Sequence, residues 1–262
     1  MVARPGRRVL FPPGGESLYR HIARQVELTA EKEFVVAPCG AGVTTVFLAS
    51  LTGAAGVGVD PDRRLVEAAA ARARARTVAG GGRLHYDVAP VDDLPYRDAV
   101  FDVAIGELGL GALPEPERAV RELVRVLRPR GMVALVQLAW IRRLDPEGER
   151  RLVEHLGVRP CLLVEWKQML RDAGVVDLRV EDWSHAAEAL LSPSAVAGGI
   201  AGAASLSDRA ALLWRSLRRR GIDGVKESLN WGHELRRLIL RDRALELSLI
   251  TGTLWGEASE GA

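Results

Sequence analysis

A glycine-containing turn follows the first apolar run of the chain, and its composition suits the binding of a polar ligand. The turn reads PCGAG at residues 38–42, and a helical pattern begins next to it at Val43. Glycine lets the backbone approach a ligand closely, and the free amides at a helix start attract polar or anionic groups. Glycine-rich turns also occur for steric reasons alone, so this turn does not identify a ligand by itself.

An acidic residue, Asp60, ends the next apolar run and precedes Pro61. In a parallel sheet this carboxylate lies beside the glycine turn and can accept both hydroxyls of a ribose. The alternative is that Asp60 caps a helix that begins at Pro61, and the two roles are compatible. Together the turn and the carboxylate predict an adenosine-type ligand. A dinucleotide is less favoured, because Thr45 stands where its fingerprint has the third glycine.

Apolar runs alternate with helical patterns from residue 34 to about residue 180. This alternation is typical of a parallel sheet wrapped by helices. The predicted strands are residues 34–37, 56–59, 84–88, 100–105, 132–139, 175–181 and 245–254. The predicted helices are residues 16–28, 43–51, 61–78, 115–127 (with Leu123, Val124 and Leu127 on one face) and 162–173, and a break at residues 129–131 precedes the fifth strand.

These elements predict an α/β, Rossmann-like fold with a seven-stranded, mostly parallel sheet and helices on both faces. We expect four segments: a helical leader (1–30), the ligand-binding core (31–184), an inserted helical cap (185–244), and the final strand with a tail (245–262). Basic residues exceed acidic ones between residues 206 and 243 of the cap. This excess suits an anionic or amphiphilic substrate or a membrane surface, although a solvated helical face is the simpler interpretation.

The composition excludes several classes of protein. The chain has 262 residues, 48% of them hydrophobic, and a formal net charge of only +2. We therefore expect a globular cytoplasmic protein without nucleic acid as its main partner, and without a membrane span, which leaves peripheral membrane contact open. Cys39 and Cys161 suggest neither a disulfide framework nor a metal site, and the five histidines do not pair at ligand spacing. Monomer and homodimer both remain open.

Four stretches of the chain carry a family resemblance. They read FVVAPCGAGVTTVFLA, GVGVDPDRRLVEAA, VDDLPYRDAVFDVAI and LPEPERAVRELVRVLRPRGMVAL. In order and spacing they resemble the class I S-adenosylmethionine-dependent methyltransferases, specifically the type-11 group that includes ubiquinone and menaquinone biosynthesis methyltransferases. The resemblance implies an antiparallel last strand, S-adenosylmethionine as cofactor with S-adenosylhomocysteine as product, and methyl transfer to a small or lipophilic acceptor, with an anionic acceptor left open.

The resemblance also implies roles for residues at the carboxyl edge of the sheet. The glycine turn would approach the methionine and ribose portions of the cofactor, and Asp60 would hold the ribose. Residues after the third strand would border the adenine, and those after the fourth would lie near the transferable methyl. The expected cofactor contacts are Tyr19 as a lid, Pro38, Cys39, Gly40, Gly42, Asp60, Pro61, Val91, Asp92, Gly106 and Glu107. Glu107 and His21 are the candidate catalytic bases.

The chain departs from the family pattern at several positions. Val36 and Pro38 replace an acid and a glycine of the first motif, Pro90 replaces an aspartate before the adenine site, and Gly111 and Ala112 replace a pair of histidines. The alternative hypothesis is therefore a non-catalytic cofactor- or partner-binding protein that kept the fold. An RNA-directed module is disfavoured, because the fourth strand continues as IGEL rather than as an NPPY-type motif.

Overall fold

The apolar runs of the chain form a mixed β-sheet in the computed structural model, which describes residues 14–75, 82–143, 145–150, 160–185 and 237–256. The strands are β1 (Glu33–Val36), β2 (Ala55–Asp60), β3 (Leu84–Val88), β4 (Phe101–Gly106), β5 (Leu127–Trp140), β6 (Cys161–Leu162), β7 (Val175–Asp182) and β8 (Leu245–Leu254). Their order is β3-β2-β1-β4-β5-β8-β7, and β6 pairs with the end of β5.

The direction of the strands determines which strand ends lie at the same edge of the sheet. β1 to β5 run parallel to one another, whereas β8 is antiparallel to both of its neighbours, β5 and β7. The predicted Rossmann-like fold and its antiparallel last strand are therefore confirmed. Because β1, β2 and β4 are parallel neighbours, their last residues, Val36, Asp60 and Gly106, lie along one edge of the sheet.

Helices cover both faces of the sheet. They are α1 (Gly15–Gln25), α2 (Val43–Thr52), α3 (Arg63–Ala75), α4 (Pro116–Arg125) and α5 (Leu163–Asp172), and a 3₁₀ helix (Leu108–Ala112) follows β4. Leu18 of α1 and Leu48 of α2 share one core with Ile105 of β4, whereas Leu123 of α4 and Trp166 of α5 share the other. The sheet thus has an α1/α2 face and an α4/α5 face, names that we keep below.

The end of α4 and the start of β5 differ from the prediction. α4 ends at Arg125, and Leu127 begins β5 instead of extending the apolar face of the helix. The predicted break at residues 129–131 lies inside β5, where the pairing register with β4 shifts between Phe101 and Val103 and Arg130 has a φ of 67°. Such a bulge accommodates a proline and a left-handed residue, because the hydrogen-bond ladder is interrupted there.

Two helix starts also differ from the prediction. α3 begins at Arg63 rather than at Pro61, because the side chain of Asp62 accepts the N–H of Arg64 at 2.8 Å and caps the helix. α5 begins at Leu163, and the residues before it form the unpredicted short strand β6. The N–H of Leu162 is held at 2.6 Å by the carboxylate of Glu165, which fixes this helix start.

Most of the predicted cap, residues 186–236, lies outside the described residues, as do residues 1–13 of the leader. The predicted basic patch of the cap therefore stays a prediction, apart from the π-helical turn Arg237–Arg241 that enters β8. Within the described part of the chain, no helix is long and apolar enough to cross a bilayer.

Candidate functional site

Two glycines shape the turn that follows β1, for different reasons. Gly40 has a φ of 51° and Gly42 a φ of 70°, values that other residues rarely adopt. A Cβ atom added to Gly40 would meet nothing within 4 Å, whereas one on Gly42 would lie 2.6 Å from the Cβ of Ala69 in α3. Gly42 therefore permits close packing of α3, and Gly40 faces space that a ligand can enter.

Asp60 lies beside this turn, with only 4% of the residue exposed. One carboxylate oxygen accepts the N–H of Gly40 and the other accepts the N–H of Asp62, each at 2.9 Å. Burial raises the pKa of Asp60, and the two amide donors counteract that rise. A carboxylate has about four lone-pair positions, so about two remain to accept ribose hydroxyls. The same carboxylate thus fixes the turn and keeps acceptor capacity for a ligand.

Glu107 follows β4 directly and directs its carboxyl toward α1 and α2. Burial raises the pKa of Glu107 to about 7, while the neighbouring hydroxyls of Thr44 and Tyr19 act to lower it. The phenol of Tyr19, which is 1% exposed, has a raised pKa because of burial first and then the nearby Glu107 carboxyl. Tyr19 therefore stays a neutral donor, and Glu107 can hold or release a proton near neutral pH.

Several buried polar atoms near the turn have no hydrogen-bond partner among the residues that the structure describes. Oε1 of Glu107 and Oγ1 of Thr44 are two of them, since the Thr44 hydroxyl lies beside the carboxyl without reaching hydrogen-bond geometry. Oγ1 of Thr45 and the phenol oxygen of Tyr86 are two more, and these two groups likewise lie beside each other without reaching hydrogen-bond geometry. Buried polar groups are normally satisfied, so this group indicates a place where a polar ligand or water supplies the missing bonds.

Pro38 and Cys39 complete the turn but offer no chemistry of their own. The thiol of Cys39 is buried, and burial is the largest cause that raises its pKa far above the ordinary value. A thiolate nucleophile is therefore excluded. The ring of Pro38 reaches the space beside Gly109, where an added Cβ would lie 2.4 Å from the proline Cγ. Both residues shape the turn, and Cys39 can contact a ligand only through its backbone.

The loop after β3, where contacts to adenine were predicted, is fastened to α4. Glu122 accepts the N–H of Leu94 at 2.8 Å, and Arg125 donates to the carbonyls of Leu94 at 3.2 Å and Tyr96 at 2.8 Å. The two α4 side chains also bind each other at 2.7 Å. We call Glu122 and Arg125 the α4 clamp. The clamp was not predicted from the sequence, although glutamate and arginine three residues apart on a helix are a recognisable signal.

The structure separates the roles of Val91 and Asp92 within this loop. Val91 is 2% exposed and packs in the core of the α4/α5 face, whereas Asp92 is partly exposed. Only Asp92 thus presents its side chain outward, and Val91 anchors the loop. Pro61 is exposed after β2, and Gly106 ends β4 next to Glu107.

His21 lies apart from the Glu107 group. Its Nε2 lies 2.7 Å from Oε2 of Glu181 in β7. The same carboxylate accepts a bond from Gln25 through Oε1 at 3.1 Å and one from Trp183 through Oε2 at 3.2 Å. β5 and β8 separate β4 from β7 in the sheet. The side chains at positions 19 and 21 differ by about 200° around a helix, which explains why Tyr19 reaches Glu107 and His21 does not.

Comparisons with known proteins bear on this edge of the sheet. Residues 36–135 match the family model of the methyltransferase domain, Methyltransf_11. Among curated proteins, the chain is 29% identical over 160 residues to methyltransferase GfsG of Streptomyces halstedii, with 57% of each protein covered. It is 29% identical over 181 residues to the 27-O-demethylrifamycin SV methyltransferase of Amycolatopsis mediterranei, covering 64% of this chain and 65% of that protein. The chain thus spans less than two thirds of both relatives.

A solved structure supports the fold over a larger part of the chain. The phosphoethanolamine N-methyltransferase 2 of Haemonchus contortus, in complex with S-adenosyl-L-methionine, superposes with a TM-score of 0.72 at 15% sequence identity. The superposition covers 94% of this chain and 54% of that one. The resemblance expected from the sequence is thus confirmed for this part of the chain: residues 36–135 form a methyltransferase domain of the Methyltransf_11 family.

Proposed function

We propose that this protein transfers a methyl group from S-adenosylmethionine to a small or lipophilic acceptor by in-line displacement at the sulfonium methyl. One observation carries the proposal: the open space above Gly40, the Asp60 carboxylate and the unpartnered Oε1 of Glu107 lie at the same edge of the sheet. This combination provides room, a ribose acceptor and a proton-accepting group within one site.

The residues at this edge fit the cofactor that the family binds. Asp60 would hold the ribose hydroxyls, and the turn around Gly40 would approach the methionine portion. The buried hydroxyls of Thr44 and Thr45, which make no hydrogen bond of good geometry within the described part of the chain, would gain polar contacts with the ligand. When bound, S-adenosylmethionine supplies an activated methyl on sulfur. The protein must then orient the acceptor and exclude water from the site.

Glu107 would accept the proton that an acceptor hydroxyl loses. With a pKa raised to about 7 by burial, its carboxyl is partly ionised at neutral pH, which is the condition under which a general base is most effective. Tyr19 donates to the same carboxyl and closes the site from α1. The relative from Amycolatopsis, whose name specifies O-methylation, supports an oxygen acceptor.

A non-catalytic, cofactor- or partner-binding protein is the second candidate, and one observation favours it. Asp60 is only 4% exposed, and each of its carboxylate oxygens already binds a backbone N–H. A site that satisfies itself in this way can retain its architecture without turnover. The two candidates differ in whether S-adenosylhomocysteine accumulates over time.

The test is turnover by the full chain supplied with S-adenosylmethionine and two probes, 27-O-demethylrifamycin SV as a hydroxyl acceptor and a demethylmenaquinone as a carbon acceptor. Mass spectrometry follows S-adenosylhomocysteine and the methylated probe. We expect turnover with the hydroxyl probe that falls in Glu107→Gln and persists in Glu67→Gln, a control at an exposed glutamate of α3. Cofactor binding without product from either probe would favour the non-catalytic candidate.

A further inference from the structure

A single polar side chain interrupts the apolar stretch of β5. Residues 133–140 are all buried, and among them only Gln137 is polar, with 1% of the residue exposed. Burying an amide in an apolar core is unfavourable unless it makes hydrogen bonds. The bonds that Gln137 makes therefore explain its place in the core.

Gln137 binds the backbone just beyond the end of β4. The last residue pair between β4 and β5 joins Gly106 to Leu135, so β5 continues past its partner. From there, Nε2 of Gln137 donates to the carbonyls of Gly106 at 3.2 Å and Glu107 at 2.8 Å. Because both partners are acceptors, only the NH₂ group can make these bonds, which sets the orientation of the amide. The Gln137 side chain thus supplies hydrogen bonds to the backbone where the pairing between β4 and β5 has ended.

Contacts from opposite faces of the sheet hold the side-chain carboxyl and the backbone carbonyl of Glu107. Val136 and Leu138 of β5 belong to the core of the α1/α2 face, together with Tyr19. Successive strand residues point to opposite faces, so Gln137 lies on the α4/α5 face. Tyr19 therefore reaches the carboxyl of Glu107 from one face, while Gln137 holds its carbonyl from the other.

The backbone at Glu107 changes direction, so its orientation depends on such a restraint. Glu107 has extended angles, with a φ of −90° and a ψ of 174°, and it stands between β4 and the 3₁₀ helix. Its carbonyl also accepts the N–H of Leu110 at 3.2 Å. Rotation of this peptide would swing the carboxyl away from Tyr19, and misplacement of a reacting group by about 1 Å can lower a rate by about 100-fold.

We propose that Gln137 is a positioning residue for methyl transfer, which fixes the backbone of Glu107 so that its carboxyl stays against Tyr19 on the acceptor side. The proposal rests on the proposed function of Glu107 as the base. It assigns to Gln137 no contact with cofactor or acceptor. Its effect passes through the two backbone carbonyls alone.

The test compares Gln137→Met, which keeps the side-chain length but removes the donor, with Val133→Ala on the same strand and face. Val133 is fully buried in the α4/α5 core, so its truncation perturbs packing without touching Glu107. Carboxyl ¹³C NMR, with the Glu107 signal assigned through its loss in Glu107→Gln, follows titration in both variants. Steady-state kinetics gives kcat and the KM for S-adenosylmethionine.

In Gln137→Met we expect kcat to fall roughly 10- to 100-fold, with the KM for S-adenosylmethionine changed by less than about threefold. The Glu107 signal should titrate at lower pH, because the carboxyl gains solvent when it leaves its buried position. Val133→Ala should keep the wild-type titration and kcat. Gln137→Asn, which keeps the amide but shortens its reach, should change both quantities in the same direction and serves if Gln137→Met does not fold.

Wild-type titration and kcat in both Gln137 variants would overturn the proposal. An equal loss in Val133→Ala would also overturn it, since general loosening of the core would then account for the effect. If the wild-type chain transfers no methyl group, the proposed function fails separately. In that case the titration of Glu107 decides by itself whether Gln137 positions the carboxyl.

Discussion

The raised pKa of Glu107 predicts a specific dependence of stability on pH. The pKa rises from an ordinary 4.5 to about 7 in the folded protein, so the folded state binds more protons than the unfolded state between these values. At about 1.4 kcal/mol per pKa unit, this shift contributes about 3 kcal/mol to the free energy of unfolding. The contribution is fully present below about pH 4.5 and is lost as the pH rises through about 7. Glu107→Gln removes this titration. In the wild type, the contribution of Glu107 to the free energy of unfolding falls by about 2 kcal/mol between about pH 5.5 and about pH 8.

The measurement is the free energy of unfolding in urea, taken for the wild type and for Glu107→Gln at both pH values. Subtracting one protein from the other cancels the titration of all groups that the two share. We expect the wild type to lose about 2 kcal/mol relative to the variant on going from about pH 5.5 to about pH 8. Glu67→Gln, at an exposed glutamate of α3, should show no such change. An equal difference at both pH values would refute the assignment of a buried, protonated Glu107.

Three further predictions concern the turn, the α4 clamp and α1. Gly40→Ala should fold but weaken S-adenosylhomocysteine binding roughly tenfold by calorimetry, because the added methyl group enters the open space that the ligand would fill. Gly42→Ala should instead lower the melting temperature, because its Cβ would clash with α3; equal effects of the two variants would contradict their separate roles. Arg125→Leu should raise the KM for S-adenosylmethionine several-fold and leave kcat nearly unchanged, since it releases the loop after β3 for which adenine contacts are proposed; a loss in kcat alone would contradict this. Tyr19→Phe removes a hydrogen bond that lowers the pKa of Glu107, so the acidic limb of the kcat profile should move to higher pH, and a move to lower pH would contradict the contact.

The sequence predicted those parts of the molecule that follow from local pattern. All seven predicted strands are present, and the last, residues 245–254, has the predicted bounds. Glycine after one strand and aspartate after the next place Gly40 and Asp60 together, because parallel neighbours end at one edge. Glu107 reaches the same edge for the same reason. Strand order and direction thus carry most of the predictable geometry.

The rest depends on contacts between distant segments, which periodicity does not encode. The hydroxyl of Thr44 lies near Glu107 only because α2 packs against β1, the strand next to β4. Gln137 meets the Glu107 carbonyl only because β5 extends past the end of β4. A polar residue within an apolar strand nonetheless indicates a buried hydrogen-bonding role, and Gln137 is such a residue. His21 was a candidate base because of its residue type, yet its ring contacts Glu181, which lies 160 residues away in the sequence.

The most direct test of the proposed adenosyl site is calorimetry of S-adenosylhomocysteine with the wild-type chain, Asp60→Asn and Glu67→Gln. Asparagine keeps the shape of Asp60 but removes its charge, and a lost charge-assisted hydrogen bond weakens binding by roughly 10- to 100-fold. We expect micromolar binding by the wild type and by Glu67→Gln, with a weakening of that size in Asp60→Asn. Absence of binding by the wild type at millimolar ligand, or equal binding by Asp60→Asn, would contradict the adenosyl site.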